Sequence, residues 1–227
     1  MTAPILVFDL DGTLVHTAPD LLDSLNHCLA IEGIAPSDPD GFLSYVGQGS
    51  RVMIERAFAA RRIPLQTGRL DRLQAAFLEH YVGNMPGRSA FYPGVRRVLE
   101  HFAKEGFLLA VCTNKLEGMS AQLLERLGAA KSFSAICGGD TFAWRKPDPR
   151  HLIGTIEKAG GDPSRAVMFG DSRADIDAAK AAGIPVIAVD FGYSERHVRE
   201  LEPSRVISHY DEVTPALVAS LLQAASV

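Results

Sequence analysis

The stretch Ile5-Leu6-Val7-Phe8-Asp9-Leu10-Asp11-Gly12-Thr13 runs four apolar residues straight into two acids, a glycine and a threonine. A short unbroken apolar run rich in Val, Ile and Phe suits a strand buried on both faces, the condition of a parallel sheet covered by helices. Ligands of such sheets bind at the carboxyl ends of the strands. Asp9 and Asp11 therefore stand where side chains would meet a substrate, and Gly12 lets the chain turn there. Asp and Gly are ordinary turn residues as well, so the stretch taken alone also fits a plain turn.

Working outward, similar runs lie at 107–112, 166–169 and 185–189, with weaker ones at 133–137 and Arg205–Ile207. Between them Val95, Val98, Leu99 and Phe102 repeat at helical spacing, as do Leu123, Leu124 and Leu127 before Gly128, and Leu152, Ile153 and Ile156 before Gly160. This alternation predicts an α/β fold, a doubly wound parallel sheet with right-handed crossovers. The interval between the first two strands is too long for one crossover. Residues 15–86 read as helices only, with apolar stripes at Leu21, Leu22, Leu25, Cys28 and Leu29, at 52–58, and at Leu70, Leu73, Phe77 and Tyr81. We therefore expect residues 1–14 and 87–227 to form the sheet domain and 15–86 a small all-helical domain inserted after its first strand. The insertion is polarised: residues 15–46 hold five acids and no Lys or Arg, and Arg51, Arg56, Arg61, Arg62, Arg69 and Arg72 follow. Solvated helix faces explain such runs, and steering of an anionic ligand is the alternative.

Over 227 residues, 47% apolar and 22% charged residues exclude disordered and fibrous classes. With 23 Lys and Arg against 27 Asp and Glu, a net charge of −4 gives no footprint for nucleic acid or an anionic membrane. Cys28, Cys112 and Cys137 form no CxxC and pair with no His at metal-ligand spacing, which argues against a disulfide framework or zinc site and for a reducing compartment. The N-terminus shows no basic leader, and apolar runs fall short of the roughly 18 residues of a membrane span. A cytoplasmic protein is the expectation, and nothing in the pattern specifies its oligomeric state.

The other strand ends are polar too. Residues 107–112 lead into Thr113-Asn114-Lys115, Phe169-Gly170 into Asp171-Ser172-Arg173-Ala174-Asp175, and Lys146-Pro147-Asp148-Pro149 opens a helix. Each has a structural alternative: Thr113 as a cap, Lys146 as a solvated charge, Asp171 and Asp175 as a favourable helix start. Their coincidence at one sheet edge points instead to phosphate chemistry.

This constellation resembles the haloacid dehalogenase superfamily of phosphohydrolases. Asp9 to Thr13 match its first motif, Thr113 the second, Lys146 the third, and Gly170-Asp171 through Asp175 the fourth, in the superfamily's order over almost the whole chain. The helical insertion is similar to the mobile cap of one of its subfamilies. Within that subfamily Val111-Cys112-Thr113-Asn114-Lys115, Gly170-Asp171-Ser172-Arg173-Ala174-Asp175-Ile176, Ala178-Ala179-Lys180-Ala181-Ala182-Gly183 and Val46-Gly47-Gln48-Gly49 most resemble phosphoglycolate phosphatases. The sequence departs from that pattern at His16, where those enzymes usually carry Asp; a His near the presumed hinge could make closure pH-sensitive, or be an exposed loop residue.

The resemblance implies a Mg²⁺-dependent phosphatase acting on a small phosphorylated metabolite. Phosphate monoester hydrolysis demands accelerations up to about 10²¹-fold, so a nucleophile is needed. Asp9 would attack phosphorus and Asp11 would protonate the leaving oxygen, then activate water, which requires an Asp11 pKa well above that of a free Asp. Asp9, Asp11 and Asp171 with Lys146 leave roughly −2 facing a phosphate dianion, a repulsion a divalent cation would relieve; oxygen donors suit Mg²⁺. By resemblance Asp9 and Asp171 hold it through carboxylates and Asp11 through its backbone carbonyl, Asp175 supports that shell or Lys146, and Thr113 through its hydroxyl and Asn114 through its backbone N–H hold the phosphoryl oxygens, with Lys146 neutralising charge at this phosphate-binding site. Gly47, Gly49 and Arg51 in the cap would contact substrate, or Gly47-Gln48-Gly49-Ser50-Arg51 is a plain helix start with Ser50 as N-cap.

Other chemistries fit less well. The alternatives are a phosphatase for another small phosphometabolite, a sugar phosphate or pyrophosphate, and a sugar-phosphate mutase, which would share the core residues. A dehalogenase has no need of Asp11, and a phosphonate hydrolase needs a cap lysine, of which residues 15–86 contain none. GxxxxGK[ST], GxSxG and HExxH are all absent.

Overall fold

Alternation along the strands sets the layering. In β1 (Ile5–Phe8), Leu6 and Phe8 enter one apolar cluster while Ile5 and Val7 enter another. In β4 (Leu108–Cys112), Leu109 and Val111 separate from Ala110 and Cys112 in the same way. Side chains of a strand alternate between faces, so both faces of this sheet are apolar and both must be covered. The computed structural model describes residues 2–43, 46, 47, 49–194 and 196–224.

Six parallel strands lie in the order β5-β4-β1-β6-β7-β8, completed by β5 (Ala135–Cys137), β6 (Ala166–Gly170), β7 (Val186–Val189) and β8 (Arg205–Ile207). Helices α5 (Val95–Lys104) and α6 (Glu117–Arg126) bury Val95, Val98, Leu99, Phe102, Leu123 and Leu124 in the first cluster, which α9 (Pro215–Ala224) joins through Val218. Helices α7 (Pro149–Lys158) and α8 (Arg173–Ala181) bury Leu152, Ile156, Ile176 and Ala179 in the second. The sheet is thus doubly wound. The chain leaves β1 for β4 and β5, then crosses back to β6 on the other side of β1, so the strand order reverses around β1 and opens a crevice at its carboxyl end.

Beyond Asp9 the chain folds back on itself: Leu14 N and Val15 N both donate to Leu10 O (3.1 and 2.9 Å), and Gly12 N donates to Val15 O (2.9 Å). It then enters β2 (Val15–His16), which pairs antiparallel with β3 (Ala90–Phe91). The expectation that residues 15–86 hold helices only is corrected here. Two residues are too few to show a strand pattern, and their partner lies far along the chain. Between β2 and β3 stand α1 (Ala18–Ile31), α2 (Pro39–Phe42), α3 (Ser50–Ala60) and α4 (Thr67–Asn84), with α1 and α3 both packed on α4. Their Leu21, Leu25, Phe58, Phe77 and Tyr81 continue the first cluster, so one apolar core runs from the sheet into the insertion. An ion pair joins the two charged halves of the insertion, Arg69 to Glu32 at 2.5 Å, while Arg51 reaches Asp71 at 2.6 Å within the arginine-bearing half. Among the described residues no helix is long and apolar enough to cross a membrane, and all three cysteines are free and buried.

Candidate active site

Three strand ends converge at the crevice. Asp9 follows β1, Thr113 follows β4 and Asp171 follows β6, and all three are buried. Lys146 joins them from the segment before α7. Its ammonium donates to Asp9 Oδ1 (2.7 Å), Asp175 Oδ1 (2.5 Å) and the Cys112 carbonyl (2.5 Å), which uses all three of its N–H groups. Burial works to lower the Lys146 pKa, but the charges of Asp175 and Asp9 outweigh it and the net shift is upward, so the group stays charged.

Asp175 does two jobs. Besides holding Lys146, its Oδ2 accepts from Ser172 N (3.0 Å) and Ser172 Oγ (2.6 Å), forming the capping box at the start of α8. Gly170 is required beside it, since a Cβ there would come within 2.2 Å of Asp175 Cβ. Asp171 accepts from Thr13 Oγ1 at Oδ1 (2.9 Å) and from Tyr193 N at Oδ2 (2.6 Å). Gly12 has φ +86°, a conformation L side chains rarely adopt, and a Cβ there would meet Asp171 Oδ2 at 2.4 Å.

Asp9, Asp171 and Asp175 each bring a carboxylate oxygen within 4.8 Å of the others. Burial pushes Asp9 up to about 6 against the pull of Lys146, and burial with the charges of Asp9 and Asp175 pushes Asp171 well above the ordinary carboxylate range. Like charges are crowded where water cannot screen them, and the donors are all oxygen. That set fits a hard divalent cation.

Asp11's carboxylate is not part of this trio. Both its oxygens lie 3.2 Å from Lys115 Nζ, and Lys115 rests 4.2 Å from the ring centre of Tyr81 in α4. Asn114 donates from Nδ2 to the Lys146 carbonyl (3.0 Å), tying the second and third motifs together.

A cavity of about 300 Å³ opens over these groups. Its wall includes Asp9, Asp11, Thr113, Asn114, Lys146 and Asp171 from the sheet side and Gly47, Gly49 and Arg51 from the insertion. The sequence-selected residues thus share one wall, except Asp175, which lies behind it on Lys146. Arg51 is there with its guanidinium engaged by Asp71 (2.6 Å) and Gln74 (3.3 Å). Gln48 lies outside the described residues. Ser50 is not the N-cap: Gly49, at φ +94°, takes that position and Ser50 begins α3, because the chain turns into the helix at a conformation only glycine adopts freely.

His16 sits in β2 with Nδ1 2.8 Å from the Tyr193 hydroxyl and 3.3 Å from that of Tyr92; burial lowers its pKa. Sequence reasoning assigned no role to Thr13 or Lys115, although both stood in quoted motifs, nor to Arg145, which also lines the cavity. Tyr193 gave no signal at all, since its contribution to Asp171 is a backbone N–H.

A family model described as haloacid dehalogenase-like hydrolase matches residues 6–189. Over its whole length the chain is similar to the phosphoglycolate phosphatase of Mesorhizobium japonicum, 60% identical over 225 residues and covering 99% of both chains. A phosphoglycolate phosphatase of Agrobacterium fabrum is 51% identical over 220 residues, covering 97% of this chain and 94% of that one. A crystal structure described as a predicted phosphoglycolate phosphatase from Haemophilus somnus superposes with a TM-score of 0.86 at 28% identity, covering 92% of this chain and 96% of that chain.

Proposed function

The chain belongs to the haloacid dehalogenase-like hydrolase family, an enzyme acting on phosphoric monoesters, and from that premise we propose that it hydrolyses 2-phosphoglycolate to glycolate and phosphate, using Mg²⁺. The observation that carries the reading is a buried Asp9 held at 2.7 Å by Lys146 on the wall of a small cavity. The relatives named for this activity support the substrate, and a volume of about 300 Å³ suits a compact one. A cytoplasmic setting belongs to the proposal, in keeping with three unpaired cysteines.

Asp9, fixed by Lys146, attacks phosphorus; the Asp9–phosphorus bond forms as the ester P–O bond breaks, and Asp11 gives its proton to the departing glycolate oxygen. Asp11 then takes a proton from water, whose oxygen attacks the aspartyl-phosphate, releasing phosphate and restoring Asp9. The Thr113 hydroxyl and the Asn114 backbone N–H hold the phosphoryl oxygens as charge develops, and Lys146, its N–H groups engaged, neutralises charge beside them. Asp9 and Asp171 through carboxylates and Asp11 through its backbone carbonyl would hold Mg²⁺, which supplies charge neutralisation at the phosphoryl group. Asp175 acts at one remove, through Lys146. In this reading residues 1–14 and 87–227 are the catalytic core and 15–86 the cap that completes the cavity.

The test is phosphate release from 2-phosphoglycolate, sugar phosphates and pyrophosphate, with and without Mg²⁺. We expect 2-phosphoglycolate to give the highest kcat/KM, chelation to abolish turnover, and Asp9→Asn to lower kcat by about 10⁴-fold or more. A sugar phosphate or pyrophosphate turned over better would remove the substrate assignment. Normal turnover by Asp9→Asn would remove the nucleophile.

A further inference from the structure

Lys115 occupies a position that the hydrolytic steps above leave unexplained. Its side chain is only 6% exposed, yet it borders the cavity, two residues beyond Thr113. An ammonium carries three N–H donors, and buried donors are almost always satisfied. Among the described residues its acceptors are the two oxygens of Asp11, both at 3.2 Å, and the face of Tyr81. Charge-assisted N–H···O bonds run at about 2.7–2.9 Å, so both contacts to Asp11 are long. The Tyr81 hydroxyl, on the ring that supports Lys115, is itself buried and without a hydrogen-bond partner among the described residues.

The neighbouring cations contrast with it. Lys146 has every N–H engaged, and Arg51 is drawn toward Asp71 and Gln74. Lys115 is the buried cation on this wall with the weakest engagements, two long bonds to one carboxylate and an aromatic face, so a ligand anion could offer it a shorter bond.

We propose that Lys115 binds a second anionic group of the substrate, a carboxylate one carbon from the phosphoester carbon, and so selects phosphorylated α-hydroxy acids over phosphomonoesters with neutral tails. The distance requirement comes from Asp11. If Asp11 protonates the leaving oxygen, an ammonium 3.2 Å from its carboxylate lies only a few ångströms from that oxygen, within reach of a carboxylate on the adjacent carbon and too near for one at the end of a sugar chain. The inference rests on the phosphatase reading and adds to it the origin of substrate choice.

The test compares kcat/KM for 2-phosphoglycolate and ethyl phosphate, in which a methyl group replaces the carboxylate. In the wild type the anionic substrate should be favoured. In Lys115→Met the preference should fall about 10- to 100-fold, mainly through KM, the range expected for one hydrogen bond to a charged group, and Lys115→Arg should recover part of it. If Lys115→Met does not fold, Lys115→Gln serves for the same comparison. Equal losses on both substrates, leaving the ratio unchanged, would mean a structural role and overturn the proposal. If the wild type fails to turn over 2-phosphoglycolate, the substrate reading falls, and 2-phospholactate against isopropyl phosphate tests Lys115 separately. A wild type with no preference for the anionic member of either pair also overturns it.

Discussion

Gly12 shows how narrowly the turn after β1 is defined. At φ +86° it sits where an L side chain is strained, and the space a Cβ would fill is already occupied by Asp171 Oδ2 at 2.4 Å and Tyr193 Cδ2 at 2.7 Å. Asp171 is in turn fixed from both sides by Thr13 and Tyr193, so it cannot yield without losing two hydrogen bonds. Gly12→Ala should therefore cost about 2 kcal/mol or more of stability, read from denaturant unfolding, and lower kcat/KM at least about 100-fold, since displacements near 1 Å at a reacting centre cost that much. Glycine and DxDGT were visible in the sequence, but the reason for the glycine was not. It lies in a side chain far along the chain.

At the scale of elements, α7 is pinned to the sheet by His151. Its Nε2 lies 3.0 Å from the Gly138 carbonyl beyond β5, and its Nδ1 is buried with no partner among the described residues. Burial, then the nearby charge of Lys146, holds its pKa down at about 4. The unfolded chain protonates a histidine near 6.5, so between pH 6.5 and 4 the unfolded state binds more protons than the native one. Stability from this group is complete above about pH 6.5 and is lost as pH falls toward 4, by up to about 3 kcal/mol. His151→Gln, which keeps a donor for Gly138, should flatten that part of the stability profile in urea unfolding measured from pH 4 to 7.5. A profile as steep as the wild type's would show the acid sensitivity to arise elsewhere. The helix itself was legible from Leu152, Ile153 and Ile156, while the two-residue strands β2 and β3 were not, because pairing between distant segments creates them.

Over the whole molecule, the sheet edge carries an excess of negative charge. Among the described residues, the cations that Asp9, Asp11 and Asp175 pair with are Lys115 and Lys146, Asp171 has no cation partner, and these groups are all buried or nearly so. A divalent cation taken up only by the folded chain stabilises it by mass action, about 2.7 kcal/mol at 100 times its Kd. For a protein of this size that corresponds to roughly 5–10 °C in Tm. Thermal unfolding with increasing Mg²⁺ should show the rise, and Asp171→Asn should suppress it. A Tm indifferent to Mg²⁺ would argue against the cation site independently of any activity measurement.

The sequence by itself determined the α/β sheet, the helical character of most of the insertion and the residues that meet at the strand ends, because buried strands and amphipathic helices write their period into neighbouring residues. It also supplied the order of the phosphatase motifs from Asp9 to Asp175. Only the tertiary structure decided what each charge faces. Asp11 pairs with Lys115, Arg51 turns toward Asp71, Tyr193 lends a backbone N–H to Asp171, and Tyr81 of α4 supports Lys115 beyond β4. Electrostatic energy depends on distance and burial in space, and no local pattern along the chain encodes either.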